Sequence, residues 1–135
     1  DKARFAEIFP KRGLAVDGGS SWFLPRMIGL HRAKELAFFG DIISAADAEG
    51  MGLVNRVVPD AELDAFVQDW ASRLASGPPI ALGLTKRMLN ESANRTLQQA
   101  LEAEAMAQSI TLQSKDTQDA FAAFVEKRDP NFQGR

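Results

Sequence analysis

Two stretches decide how this chain is read: Gly40–Pro59, GDIISAADAEGMGLVNRVVP, and Gly13–Gly29, GLAVDGGSSWFLPRMIG. In the first, Gly40 closes a helix over Leu30–Phe39 as a C-terminal cap. Ser44 and Asp47 then have capping-box spacing, which starts a short helix ended by Gly50 or Gly52. Val54–Val58 is β-branched and brief, so it is expected as a strand that Pro59 ends. In the second stretch, Gly13–Ser21 is a loop rich in glycine and serine. A serine is expected as the N-cap of a helix running from about Ser21 to Ile28. Pro25 lies within that helix, where it is tolerable only near the first turn.

Working outward, Ala3–Phe9 reads as a strand or the edge of one. Everything after Pro59 is helical. Asp60 is expected to cap a helix whose apolar residues Leu63, Phe66, Val67, Trp70 and Leu74 recur every three to four positions. Gly77-Pro78-Pro79 breaks it, and Pro79 opens the next helix. Thr96 and Gln99 form a second capping box, and Asp116 is expected to cap the last helix. The tail from Asp129 is loop. One strand pair is not a stable sheet in water, so the strands of the first 60 residues want partners that this chain does not supply. A start at Asp1 rather than methionine fits a piece of a longer polypeptide and, equally, a start that has been cleaved.

The 135 residues are enough for one domain, with 45% hydrophobic and 25% charged residues as in globular proteins. A net charge of −2 gives no basic surface for nucleic acid. No apolar run is long enough to span a membrane. The absence of cysteine removes thiolate chemistry and sulfur-ligated metal, and it fits a reducing cytoplasm. The single histidine, His31, has no partner at metal-ligand spacing and reads as a helix-surface residue. Ser20 and Ser21 have no histidine base near them in sequence.

The combined pattern resembles the crotonase superfamily, the enoyl-CoA hydratase/isomerase family. The resemblance rests on several motifs in order. They are the glycine-rich turn, Leu24-Pro25-Arg26-x-x-Gly29, Ala33-x-Glu35, Gly40–Pro59, and Ala122–Phe132 (AAFVEKRDPNF) near the end. It is most similar to the phenylacetate-pathway type of enoyl-CoA isomerase. It implies an α/β fold: residues 1–59 as the end of a ββα spiral core whose N-terminal half is absent, and 60–135 as a helical trimerisation region. It further implies acyl-CoA thioester substrates and no separate cofactor, with coenzyme A arriving as part of the substrate. The expected assembly is a cytoplasmic homo-oligomer, a trimer or hexamer.

In this family two backbone N–H groups hold the thioester oxygen as it becomes an enolate. Both donors, and one of the two hydratase glutamates, fall before Asp1. The second glutamate falls at Phe9, which cannot transfer a proton. Asp17 stands where isomerising and dehalogenating relatives carry an aspartate in a G-L-x-x-D-G-G setting, as base or nucleophile. Its alternative is a turn aspartate bonded to nearby backbone. Lys127 stands where the family often has a lysine that meets the CoA phosphate; alternatively it is a solvated lysine at a helix C-terminus. Trp22 and Phe23 are candidates for the acyl pocket, or else core. The family's adenine-stacking aromatic falls near Gln108. Proton shuttling on an enoyl-CoA through Asp17 is the function implied. An inactive fragment or oligomerisation module of such an enzyme is the alternative.

Overall fold

A computed structural model describes residues 1–135. The chain divides into two compact units, Asp1–Val67 and Gln68–Arg135. In the first, β1 (Arg4–Phe5) pairs antiparallel with β2 (Ile43–Ser44), with Arg4 opposite Ser44 and Phe5 opposite Ile43. Between them lie a 3₁₀ turn at Phe9–Arg12 and the helices α1 (Ser20–Ile28) and α2 (Leu30–Phe39). The core is the seam where α1 and α2 pack: Leu24, Ile28, Ala33 and Leu36, joined by Ile43, Met51 and Leu53. These residues recur at the three-to-four spacing that puts them on one face of each helix.

Local signals set the ends of most elements. Gly40 adopts the left-handed conformation at φ 60° and donates its N–H to the Leu36 carbonyl, ending α2. Ser44 Oγ accepts from the Asp47 N–H at 3.1 Å while Asp47 Oδ2 accepts from the Ser44 N–H at 3.2 Å. That reciprocal box starts α3 (Ala45–Gly50). Pro25 is the exception: it lies inside α1, past its first turn. The helix ends three residues on, so little of its hydrogen-bond ladder follows the missing N–H.

Four expectations fail here in whole or in part, two of them where a distant partner takes the group that a local one would use. Val54–Val58 forms no strand. Its backbone is satisfied elsewhere: Val57 N–H donates to Glu49 Oε1 at 3.0 Å, and the Val58 carbonyl accepts from the Asp1 nitrogen at 2.8 Å. β-Branched residues favour a strand only where a neighbouring strand is there to pair. Ala3–Phe9 is strand only at Arg4–Phe5, and Pro10 turns the chain into the 3₁₀ segment instead. No serine caps α1; Gly19 stands at the N-cap. Asp60 caps nothing, because its carboxylate takes the Lys2 ammonium at 2.7 Å.

α4 (Leu63–Ala75) follows a 3₁₀ turn at Asp60–Glu62 and crosses from the first unit into the second. The second unit continues with α5 (Pro79–Glu91), α6 (Leu97–Thr111) and α7 (Lys115–Glu126). Pro79 opens α5, and the Thr96–Gln99 box opens α6 with both bonds formed. α7 departs from expectation. Its cap is Ser114, whose Oγ accepts from the Thr117 N–H at 3.2 Å. Asp116 is instead buried in the first turn, where it accepts from the backbone N–H groups of Gln133 at 2.6 Å and Gly134 at 2.9 Å. The tail is irregular, as expected, but tied down.

Candidate active site

The Asp17 turn is built from backbone upward. Gly18 and Gly19 both take positive φ, 59° and 86°. The Asp17 carbonyl accepts from the Ser20 N–H at 2.9 Å, closing the turn, and the Gly19 carbonyl accepts from the Trp22 and Phe23 N–H groups at 2.9 Å. Gly19 is needed for two reasons: its φ disfavours any side chain, and a Cβ there would lie 2.9 Å from Phe23 Cε2. Phe23 is thereby packed directly on the turn that carries Asp17. The Asp17 side chain is exposed and makes no hydrogen bond within the chain. No hydrogen bond ties the Asp17 carboxylate to the backbone of its own turn.

Trp22 and Phe23 meet edge to face, with centroids 4.9 Å apart at 80°. Arg26 lies 4.0 Å over the Trp22 ring and donates from Nη1 to the Trp22 carbonyl at 2.9 Å. That cation–π contact fixes the indole on the outer face of α1. Neither aromatic belongs to the core: Phe23 is 55% exposed and Trp22 36%. The turn and these aromatics therefore form one presented cluster. A neighbouring cavity of about 210 Å³ is walled by Val16, Ser20, Leu24 and Lys34 among others. His31 is exposed on α2. No group of three or more His, Asp or Glu side chains gathers at metal-binding distance.

Glu7 was not singled out by the sequence. It is half-buried beside the sheet edge, with Oε1 at 3.4 Å from Ser20 Oγ and Oε2 buried without a partner. Its link to Ser20 spans thirteen positions, so no local pattern could announce it.

Lys127 lies in the second unit and is described there alone. It is the one non-glycine residue with positive φ, 55°, and it forms the C-terminal cap of α7, its N–H donating to the Ala123 carbonyl. Left-handed backbone costs a lysine roughly 1–2 kcal/mol relative to glycine. Its ammonium is exposed and makes no ion pair within the chain. Beside it, Asp119 is held below the usual carboxylate range by Arg128 first and by the Asn131 N–H second. Arg128 is correspondingly raised, by Asp119 first and then Glu126.

With this geometry in view, the comparisons with known proteins are direct. The family model described as enoyl-CoA hydratase/isomerase matches residues 1–135. The chain belongs to this family. It is 38% identical over 133 residues to the 1,2-epoxyphenylacetyl-CoA isomerase of Escherichia coli K12, a match covering 98% of this chain and 51% of that one. It is 34% identical over 130 residues to the crotonyl-CoA hydratase of Syntrophomonas wolfei, covering 96% and 50%. The solved enoyl-CoA hydratase of Bacillus anthracis superposes with a TM-score of 0.89 at 35% identity, covering 93% of this chain and 49% of that one. The fold is thus the helix-rich α/β portion of a crotonase-fold enzyme. The chain spans about half the length of the curated relatives it matches. None of its helices is long and apolar enough to cross a membrane.

Proposed function

We propose that this family member acts on unsaturated acyl-CoA thioesters and moves a proton along the acyl chain through Asp17. The carrying observation is the Asp17 carboxylate, exposed and unpartnered on a left-handed glycine turn with Phe23 packed against it. A carboxylate so placed can accept a proton from the carbon γ to the thioester carbonyl. The electrons run into a dienolate, and the same carboxyl returns the proton to the α carbon. The dienolate oxygen needs backbone N–H donors, which in this family come from the half of the fold outside this chain. Trp22 and Phe23 offer apolar surface for the acyl chain, and Lys127 offers a cation for the CoA phosphate. Isomerisation is favoured over hydration because one base suffices for it, and Phe9 stands at a hydratase carboxylate position.

Asp17→Asn in the full-length protein keeps the turn and removes the base. Turnover is expected to fall by a factor on the order of 10² or more, with a smaller change in KM. Unchanged turnover overturns the assignment.

A second reading, an assembly module, is favoured by the apolar face of α7, where Phe124 is 84% and Val125 80% exposed. Such a face is a docking surface by default, and a trimer or hexamer would bury it. The readings are compatible for the whole protein and differ for this chain alone. As a module it would oligomerise without binding an acyl-CoA, so a calorimetric signal with crotonyl-CoA on the isolated chain counts against it.

A further inference from the structure

Lys127 poses a question that the family reading leaves open: why a lysine stands where the backbone suits glycine, and what holds it there. The residues on either side answer the second part. Arg128 grips Asp119 with both terminal guanidinium nitrogens, Nη2 to Oδ1 at 2.6 Å and Nη1 to Oδ2 at 3.3 Å. Its Nε donates to Glu126 Oε2 at 2.6 Å, and Nη1 also donates to the Asp129 carbonyl at 3.1 Å. Asp119 Oδ2 accepts in addition from the Asn131 N–H at 2.6 Å. One guanidinium therefore ties together the residue before Lys127, the residue two after it, and a carboxylate two turns back on α7. Asp119 also pins the returning tail. A bidentate Arg–carboxylate pair fixes direction as well as distance. The chain around Lys127 has little freedom left to relax out of the left-handed conformation.

The charges are also sorted. Arg128 is compensated by Asp119 and Glu126, whereas Lys127 has no counter-ion in the chain. The uncompensated cation at this end of α7 is the one whose backbone is constrained. Strained backbone persists where surrounding contacts over-determine it, and it gathers at binding sites.

We infer that Asp119 and Arg128 are positioning residues whose brace holds Lys127 left-handed and presents its ammonium to a phosphate of coenzyme A. This rests on the reading of Lys127 as a phosphate contact and is independent of Asp17. A brace that served only to order the tail would affect tail order without affecting an anion.

The test is calorimetric titration of the full-length protein with coenzyme A. It compares the wild type with Lys127→Ala, Asp119→Ala and the double variant. Lys127→Ala is expected to weaken binding about tenfold, as for loss of one charge-assisted contact. Asp119→Ala is expected to weaken it about threefold to tenfold, and the double variant no further than Lys127→Ala alone. Hydrogen exchange at the amides of residues 127–131 checks that the brace has been released. If Asp119→Ala does not fold, Asp119→Asn is read in its place, with a smaller loss in the same direction. Wild-type affinity in the Asp119 variant, with Lys127→Ala still weakened, overturns the brace alone. Losses that multiply in the double variant overturn it as well. Wild-type affinity in Lys127→Ala overturns the phosphate reading, and the brace with it.

Discussion

The Asp17 turn and the Lys127 cap use the same backbone conformation in opposite ways. At the turn, glycines take the positive φ, at Gly18 and Gly19, and Asp17, the proposed base, precedes them on ordinary backbone. Nothing within the chain braces the Asp17 carboxylate. At the cap, Lys127, the proposed phosphate contact, itself takes the positive φ, and the next residue, Arg128, makes short charged hydrogen bonds to Asp119 and Glu126. Glycine makes the first arrangement inexpensive and leaves the side chain free to move. The second is costly and directs the side chain. On the roles proposed for them, a base that delivers and recovers a proton along an acyl chain gains from freedom, and a cation that meets a fixed phosphate gains from direction.

The largest effect that would break this contrast is expected at Gly19. Gly19→Ala puts a Cβ 2.9 Å from Phe23 Cε2 at a φ of 86°. The combined strain and displacement should cost about 2–3 kcal/mol of stability. Turnover of the full-length protein should fall with it, because Phe23 must leave the turn. Thermal denaturation and steady-state kinetics on the same variant check both. A Gly19→Ala protein with native Tm and turnover would mean that the turn is not what organises this site.

The turn was legible because its signals are local. Two adjacent glycines after an aspartate mark positive φ whatever the rest of the chain does. Gly40, Pro79 and the Ser44–Asp47 and Thr96–Gln99 boxes were readable for the same reason, since each bond joins residues a few positions apart. What was misread depended on distant partners. Asp60 and Asp116 have the chemistry of N-caps, but Lys2 and the tail amides claim their carboxylates. Val54–Val58 has the composition of a strand without a strand beside it. Of the candidate site residues, Asp17 and Lys127 are proposed from family motifs. Glu7 and Asp119 were not, because their contacts with Ser20 and Arg128 span thirteen and nine positions.

A smaller effect sharpens the contrast from the other side. Lys127→Gly gives the cap the residue its backbone prefers. It should raise stability by about 1 kcal/mol while weakening coenzyme A binding of the full-length protein. The two measurements moving in opposite directions is the signature of strain kept for binding. A glycine variant that loses stability would mean that the lysine stem packs usefully and that its left-handed backbone is not a cost.

The smallest expected effect tests the brace by protonation. The Arg128 guanidinium, and then the Asn131 N–H, hold the Asp119 carboxyl below its ordinary value of 3.8. A carboxyl lowered in the folded state binds its proton less readily there than in the unfolded chain. The stabilisation it gives is therefore complete above the ordinary value and is lost as pH falls through the lower, folded one. Asp47 behaves alike, lowered by its Ser44 side-chain bond first, but it caps α3 in the other unit. The two are separable by amide signals followed in nuclear magnetic resonance. The Asn131 amide should report Asp119, with a midpoint below 3.8, while the Ser44 amide reports Asp47. Asp119 is half-buried and still open to solvent, so added salt should move the Asn131 midpoint back toward 3.8. A midpoint at or above 3.8 in low salt would show that Arg128 does not grip Asp119 in solution, and the directed half of the contrast would fall.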